Sequence, residues 1–347
     1  MKRKIALLLS AVLLAFSFTA CSEKYTEVLT VDGEAIPAGI YLMSQLSAYS
    51  EALGKVEDRS KDPLKQTVEE QDAADWIHSR TLELCRNYVW AERTFEEKGM
   101  SISEEEMTAQ QSKIDTNWES YSAFYEKNGI GKESYSKFFL NNYKMQQIYD
   151  AYMEEPFEVT DQEAKSYLDS DYARMDYFML PLISFSTYQA LSEESATAVR
   201  LAGDSMASAL NDGSMTVEDA VKKYVKDAYG FAGDNEVDFD TDPTSYLYSS
   251  LIDRNSSSYN DQLIDALFAA EVDGPWAVSE QGSFYVVYHR TANYADEAAF
   301  QELKESIVKQ MHSDRFYDET EGAYNAYELT EDAGAVRHYS VKNIKVD

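Results

Sequence analysis

The side chains able to do chemistry in this 347-residue sequence are few and scattered. Its four histidines are His78, His289, His312 and His338, and no pair has a zinc-site spacing. Each reads as a solvated or structural imidazole rather than a ligand or a base. Asp238, Asp240 and Asp242 alternate like the start of a calcium loop. Pro243 stands at its sixth position, where the turn needs Gly, and Ser249 at its twelfth, where Glu is needed. The three read as an acidic surface loop. Glu104-Glu105-Glu106 and Glu193-Glu194 stand where helices are expected to begin. Their charge suits the positive end of a helix dipole better than acid–base pairing. No Gly-rich phosphate loop and no nucleophile elbow occurs. No cofactor and no metal site are expected.

Cys21 has the most defined reactive setting. Lys2, Arg3 and Lys4 are basic, Ile5 to Phe16 is apolar apart from Ser10, and Ser17, Phe18, Thr19 and Ala20 lead into Cys21. A basic start, an apolar core and small residues before a cut define a secretory signal, here residues 1–20. A cysteine directly after the cut adds a lipidation reading: its thiol would carry diacylglycerol and its freed amine would be the mature N-terminus. Two or more acyl chains, at about 0.8 kcal/mol per buried methylene, make a lasting anchor. Phe18 stands where bacterial lipoboxes usually have Leu, which leaves ordinary signal-peptidase cleavage as the alternative. The apolar stretch is shorter than the ~20 residues of a membrane span. The other cysteine, Cys85, lies in an apolar helical pattern and reads as a small buried hydrophobe.

Loss of the three basic residues with the signal would take the net charge from −31 to −34. Such a surface repels nucleic acid and anionic lipid heads. A hydrophobic content of 44%, with 26 Tyr and 15 Phe, argues for a folded chain.

The elements that must position these groups follow from pattern. Val28 to Pro37 reads as strand, Asp32-Gly33 turn, strand. Helices are expected over 38–53, from Glu70 to Glu97, from Ser103 to about Lys127, from Lys132 to Met153 and from Thr160 to about Asp169. Met175 to Ile183 reads as a strand, Ser186 to Leu210 and Val217 to Tyr224 as helices, and 227–260 as loops. A short helix over Asp261 to Ala270 precedes a hairpin of Trp276 to Ser279 and Ser283 to His289. A long helix then covers about Glu297 to Tyr327. Alternating Val341, Ile344 and Val346 predict a closing strand that pairs with the first hairpin.

This order resembles the SurA/PrsA group of extracytoplasmic foldases. The residues that carry the resemblance begin with Val31-Asp32-Gly33-Glu34-Ala35-Ile36 and the helix from Trp76 to Gly99. Ile102-Ser103-Glu104-Glu105-Glu106, Gly131-Lys132-Glu133 and Val159-Thr160-Asp161-Gln162-Glu163-Ala164 follow. Residues 173–290 resemble a parvulin domain, with the strand Met175 to Leu180, Gly230 and Gly233-Asp234, Leu263 to Phe268, Glu271-Val272-Asp273-Gly274-Pro275, and Gly282 to Val287. The resemblance implies an α+β fold: a mostly helical chaperone domain, like the N-terminal domain of SurA, with an inserted parvulin-like α+β domain. The expected division is 1–20 signal peptide, 21–171 helical domain, 172–295 parvulin-like domain, and 296–347 a helix and strand returning to the first domain.

Active parvulins carry a histidine in the first strand and another in the last, and Tyr177 and Tyr285 stand in those places here. His289 keeps the strand face of Tyr285 but lies about 13 Å further along, at ~3.3 Å per residue. Asp227 is a loose counterpart of the family's cysteine or aspartate. Isomerisation needs only a grip on the proline ring and on the twisted amide, against a barrier of about 18–20 kcal/mol. Phe268, Trp276, Phe284 and Tyr285 are the candidate walls of such a pocket; the alternative is that they are ordinary core aromatics. The expected function is a membrane-anchored folding factor for unfolded or newly exported polypeptides, with a weak or inactive isomerase domain. The alternative is a lipid-anchored binding protein for a solute or a cell-wall partner. That alternative calls for two lobes of repeated strand–helix units, whereas residues 70–170 read as nearly continuous helix.

Overall fold

The computed structural model describes residues 26–233 and 241–345. The signal stretch, Cys21, Asp238, Asp240 and Val346 lie outside the described residues. The chain is α+β and mostly helical. It divides into two compact units, one made of the chain up to Pro156 together with Ser313 onward, the other of Phe157–His312.

The first unit opens with β1 (Glu27–Val31) and β2 (Glu34–Pro37), an antiparallel pair. Asp32 and Gly33 turn between them at φ 50° and 81°. Both values are positive, as the tightest hairpin turn requires. α1 (Ala38–Lys55) buries Ile40, Tyr41, Leu42 and Met43. β3 (Thr67–Val68) and β4 (Gln71–Asp72) make a minimal hairpin before α2 (Ala73–Glu97). The predicted helix start at Glu70 moves to Ala73, because Gln71 and Asp72 are strand-paired and the Asp72 carboxylate caps the Ala74 N–H. α3 (Glu104–Lys127) starts at a capping box in which Ser103 and Glu106 bond reciprocally, and α4 (Lys132–Met153) follows.

The second unit begins with α5 (Asp161–Asp171), capped by a second such box between Thr160 and Glu163. β5 (Tyr172–Pro181) leads to α6 (Glu193–Asn211). Residues 186–192, predicted as the start of that helix, belong to a loop instead. Ile183 bridges to Ala190, Tyr188 has φ 56°, and the Ser192 hydroxyl caps Ser195. α7 (Val217–Ala220), a π-helical turn over Val221–Val225 and α8 (Lys226–Phe231) run on without a break. β6 (Tyr248–Asp253) lies inside the stretch predicted as loops. It is an edge strand of mixed polarity, and only its pairing with β5 makes it a strand. α9 (Asp261–Ala269), β7 (Ala277–Gln281), β8 (Phe284–Thr291) and α10 (Glu297–Asn325) complete the unit, with α10 ending in the first one. The sheet is antiparallel in the order β6-β5-β8-β7. The units change over at Phe157 and Ser313, outside the sequence-based boundaries at 172 and 295. The reason is a shared core: Ala164 and Leu168 of α5 pack with Phe300 and Ile307 of α10.

Back in the first unit, β9 (Leu329–Glu331) pairs antiparallel with β1, and α11 (Ala333–His338) follows. The predicted closing strand at Val341 is instead a 3₁₀ turn over Val341–Asn343, started by the Ser340 hydroxyl on the Lys342 N–H. Val341 fills an apolar cluster with Trp76 and Ile77, so its side chain is committed to a core rather than to a sheet. Cys85 is fully buried between the first hairpin and α1, and burial pushes its thiol up to about 12.

Candidate functional site

The sheet of the second unit carries the candidate residues, and the two-residue period of a strand sorts them. On β5, Phe178 and Leu180 face α6; Met175 and Tyr177 face α9. On β8, Tyr285 and Val287 face α6; Phe284, Val286 and Tyr288 face α9. Tyr177 stands opposite Tyr288, and Leu180 opposite Tyr285. The two tyrosines in the histidine places are therefore on opposite faces of one sheet.

The α6 face is held by specific polar pairs. Gly203 lets α6 approach β8: a Cβ there would lie 2.6 Å from the Tyr285 ring and 3.2 Å from the Leu180 side chain. With the helix that close, the Tyr285 hydroxyl donates to Asp204 Oδ1 at 2.7 Å. Burial, then this carboxylate, pushes the Tyr285 phenol up to about 12. Trp276 stacks on Phe178 at 5.4 Å and on His289 at 4.1 Å between centroids. Its backbone is clamped by Asn211, which accepts from the Trp276 N–H at 2.6 Å and donates to its carbonyl at 2.9 Å. His289 is thus a stacking partner of Trp276, away from Tyr177.

The α9 face is richer in phenols. Tyr177, 9% exposed, stacks beside Tyr248 at 5.4 Å and hydrogen-bonds Tyr259. Burial, and next that bond, raise Tyr259 above the ordinary phenol range. Neither Tyr248 nor Tyr259 stood out in the sequence, because both fall in the stretch read as loops. α9 is a nine-residue helix pinned at both ends. Asn260 caps it while donating to the Glu280 carbonyl at 3.0 Å, and Arg290 donates to the carbonyls of Phe268 and Ala270 at 2.9 and 3.2 Å. Arg254 lies 4.0 Å from the centre of the Phe268 ring and covers it.

The four candidate wall residues do not share one face: Phe268 and Phe284 belong to the α9 side, Trp276 and Tyr285 to the α6 side. Strict alternation already separates Phe284 from Tyr285, so that part of the signal was in the sequence. The α9 side offers an apolar bed of Met179, Phe268 and Phe284 with phenol hydroxyls at hand. A phenol donates one hydrogen bond and, unlike imidazole, does not exchange protons near neutrality. Among the described residues no cluster of His, Cys, Asp and Glu is arranged to hold a metal, and no helix is long and apolar enough to cross a membrane.

No family model and no curated protein matches the chain. Solved structures give weak similarities. One is a SurA-like chaperone of Campylobacter jejuni, at 10% identity and a TM-score of 0.32, covering 89% of this chain and all of that one. The foldase protein PrsA from Lactococcus lactis aligns at 12% identity and 0.32, over 92% of this chain and all of that one. The foldase protein PrsA from Streptococcus pneumoniae aligns at 13% and 0.32, over 81% and 98%.

Proposed function

We propose that this chain is an extracytoplasmic folding factor, anchored to the membrane by a lipid on Cys21. It binds unfolded or newly exported polypeptides through its helical unit and carries a parvulin-like unit with little or no peptidyl-prolyl isomerase activity. The observation that carries the reading is the order of the chain through its two larger sheets. β1 pairs with β9, 298 or more residues apart in sequence, while the four-stranded sheet is built wholly from residues between them. This is the arrangement that the sequence resemblance implies. Exposed apolar side chains on the helical unit, Met107, Tyr121 and Tyr317, supply contact points for clients. The net charge, −31 for the full chain and −34 without the three basic residues of the signal, favours encounter with basic clients, more so at low salt. Weak catalysis follows from the positions of Tyr177 and Tyr285, which cannot act on one bound amide from opposite faces of the sheet.

Two assays test the reading. The intact chain should suppress aggregation of a chemically denatured client at stoichiometric ratio; no suppression would overturn the folding-factor reading. Its kcat/KM on a short proline peptide should fall at least tenfold below that of an active parvulin, about 1.4 kcal/mol of lost transition-state stabilisation. Activity at ordinary parvulin levels would refute the degenerate site. For the anchor, mass spectrometry of the mature N-terminus should find acylated Cys21, and an unmodified terminus at another residue would remove it.

A further inference from the structure

The far end of the described chain lies in a groove of the helical unit and is held there mainly by its backbone. Gln45 of α1 donates through Nε2 to the Tyr339 carbonyl at 2.9 Å. Asn128, just past the end of α3, meets Lys345 twice: its Oδ1 accepts from the Lys345 N–H at 2.8 Å, and its Nδ2 donates to the Lys345 carbonyl at 3.0 Å. An amide that satisfies both backbone groups of one residue recognises extended polypeptide without regard to the side chain, excluding only proline. Ile344 is extended, at φ −61° and ψ 133°, and packs against the cluster of Trp76, Ile77 and Val341. The Lys345 ammonium donates to the Lys127 carbonyl at 2.8 Å, at the negative end of the α3 dipole and beside Glu126. A cavity of about 500 Å³ lies alongside, lined by Leu42 and Leu46 of α1, Gly129 and Ser340 among others.

We propose that this groove is a client site for an extended segment with an apolar residue followed by Lys or Arg, and that residues 344–345 fill it in the client-free chain as an internal competitor. The proposal rests on the folding-factor reading and names the client chemistry at one of its surfaces. The contacts of Ile344 and Lys345 define the two preferences: an apolar side chain in the cluster, a cation on the carbonyls of α3. A tethered competitor acts at an effective concentration of about millimolar, so it lowers client affinity without any change in fold. Affinity for a free segment is reduced by the fraction of time the groove is filled.

The test uses a fluorescent peptide with the sequence of residues 340–346, its binding followed by anisotropy. A chain lacking residues 344–347 keeps Val341 in its cluster and should bind the peptide about tenfold more tightly than the intact chain. Asn128→Ala in the shortened chain should abolish that gain, and a peptide carrying Lys345→Glu should bind at least fivefold more weakly. If the shortened chain does not fold, Lys345→Pro in the full chain, which removes the N–H that Asn128 accepts, should produce the same gain. Equal affinity for intact and released chains, or no binding by either, overturns the proposal. Aggregation suppression by the intact chain is measured separately, so a chain that suppresses aggregation yet shows no difference in peptide affinity overturns this inference alone.

Discussion

The two faces of the sheet in the second unit are built on different terms. The α6 face is covered by a 19-residue helix that Gly203 seats against Tyr285, and its polar groups meet charged or amide partners: the Tyr285 hydroxyl with Asp204, the Trp276 backbone with Asn211, and Arg200 with Glu280 at 2.8 Å. The α9 face is covered by a nine-residue helix held through an N-cap and one arginine, over a bed of phenols that bond each other. A long helix with a close glycine contact is costly to displace. A short one with a few end contacts opens at smaller cost, because fewer buried groups must be exposed. The difference teaches that the α9 face is the more easily opened of the two, although the more conspicuous aromatic, Trp276, is on the other.

Four measurements would break or sharpen that contrast. The largest effect is expected for Phe178→Ala, a fully buried ring of the α6 face, at about 3–5 kcal/mol of stability by urea unfolding. Phe268→Ala should cost clearly less, since that ring is partly exposed and meets an exposed guanidinium. The reverse order would show that the α9 face is the tighter one. Gly203→Ala comes next, at roughly 1–3 kcal/mol, because the new methyl would overlap the Tyr285 ring. Combining it with Tyr285→Ala should recover part of that loss; strict additivity would mean that the close approach is not what the glycine serves.

Removing single hydroxyls probes the polar tips. Tyr177→Phe leaves the Tyr259 hydroxyl without its partner on the α9 face and should cost about 1–2 kcal/mol. Tyr285→Phe should cost less than about 0.5 kcal/mol, because Asp204 is exposed and turns to water. Equal losses would erase the distinction between the faces. The smallest effect concerns pH. The hydrogen bond from Arg200 holds the Glu280 carboxyl below its ordinary 4.5. A depressed folded-state value contributes stability that is present above 4.5 and lost as the pH falls through the folded value. Arg200→Gln should therefore lower the melting temperature slightly at about pH 7, and the gap should close as the pH falls through the folded value and Glu280 becomes neutral in both chains. A gap that persists on acidification would assign the Arg200 contribution to packing.

Local chemistry made much of the fold legible. The helices over Glu104–Lys127 and Lys132–Met153 coincide with their predicted ranges to within a residue, since capping boxes and a Gly131 start act within four residues of chain. The same holds for the Asp32-Gly33 turn. Pattern failed over residues 186–192, whose side chains are helix-compatible, because the Ile183–Ala190 bridge closes a loop and the Ser192 cap delays the helix. It failed too where the deciding partner was distant. β6 has an unremarkable composition and exists through β5. Of the candidate site, the aromatic identities were readable, while Tyr248 and Tyr259 were hidden by their loop-like surroundings.

By itself, the sequence determined where the long helices of the first unit run, where two helices are capped, and that its sheet faces would be apolar and aromatic. These properties depend on neighbours a few residues away. Tertiary structure alone decided that Leu329–Glu331 pairs with β1 while Val341–Asn343 forms a 3₁₀ turn. The pairing is held by Asp32 and Asp332, whose N–H groups donate to the carbonyls of Glu328 at 2.6 Å and Val28 at 3.0 Å. It also decided that Val341 enters a core with Trp76 and that Lys345 lies against Asn128. Pairing between segments this far apart depends on burial and hydrogen bonding that no local pattern encodes.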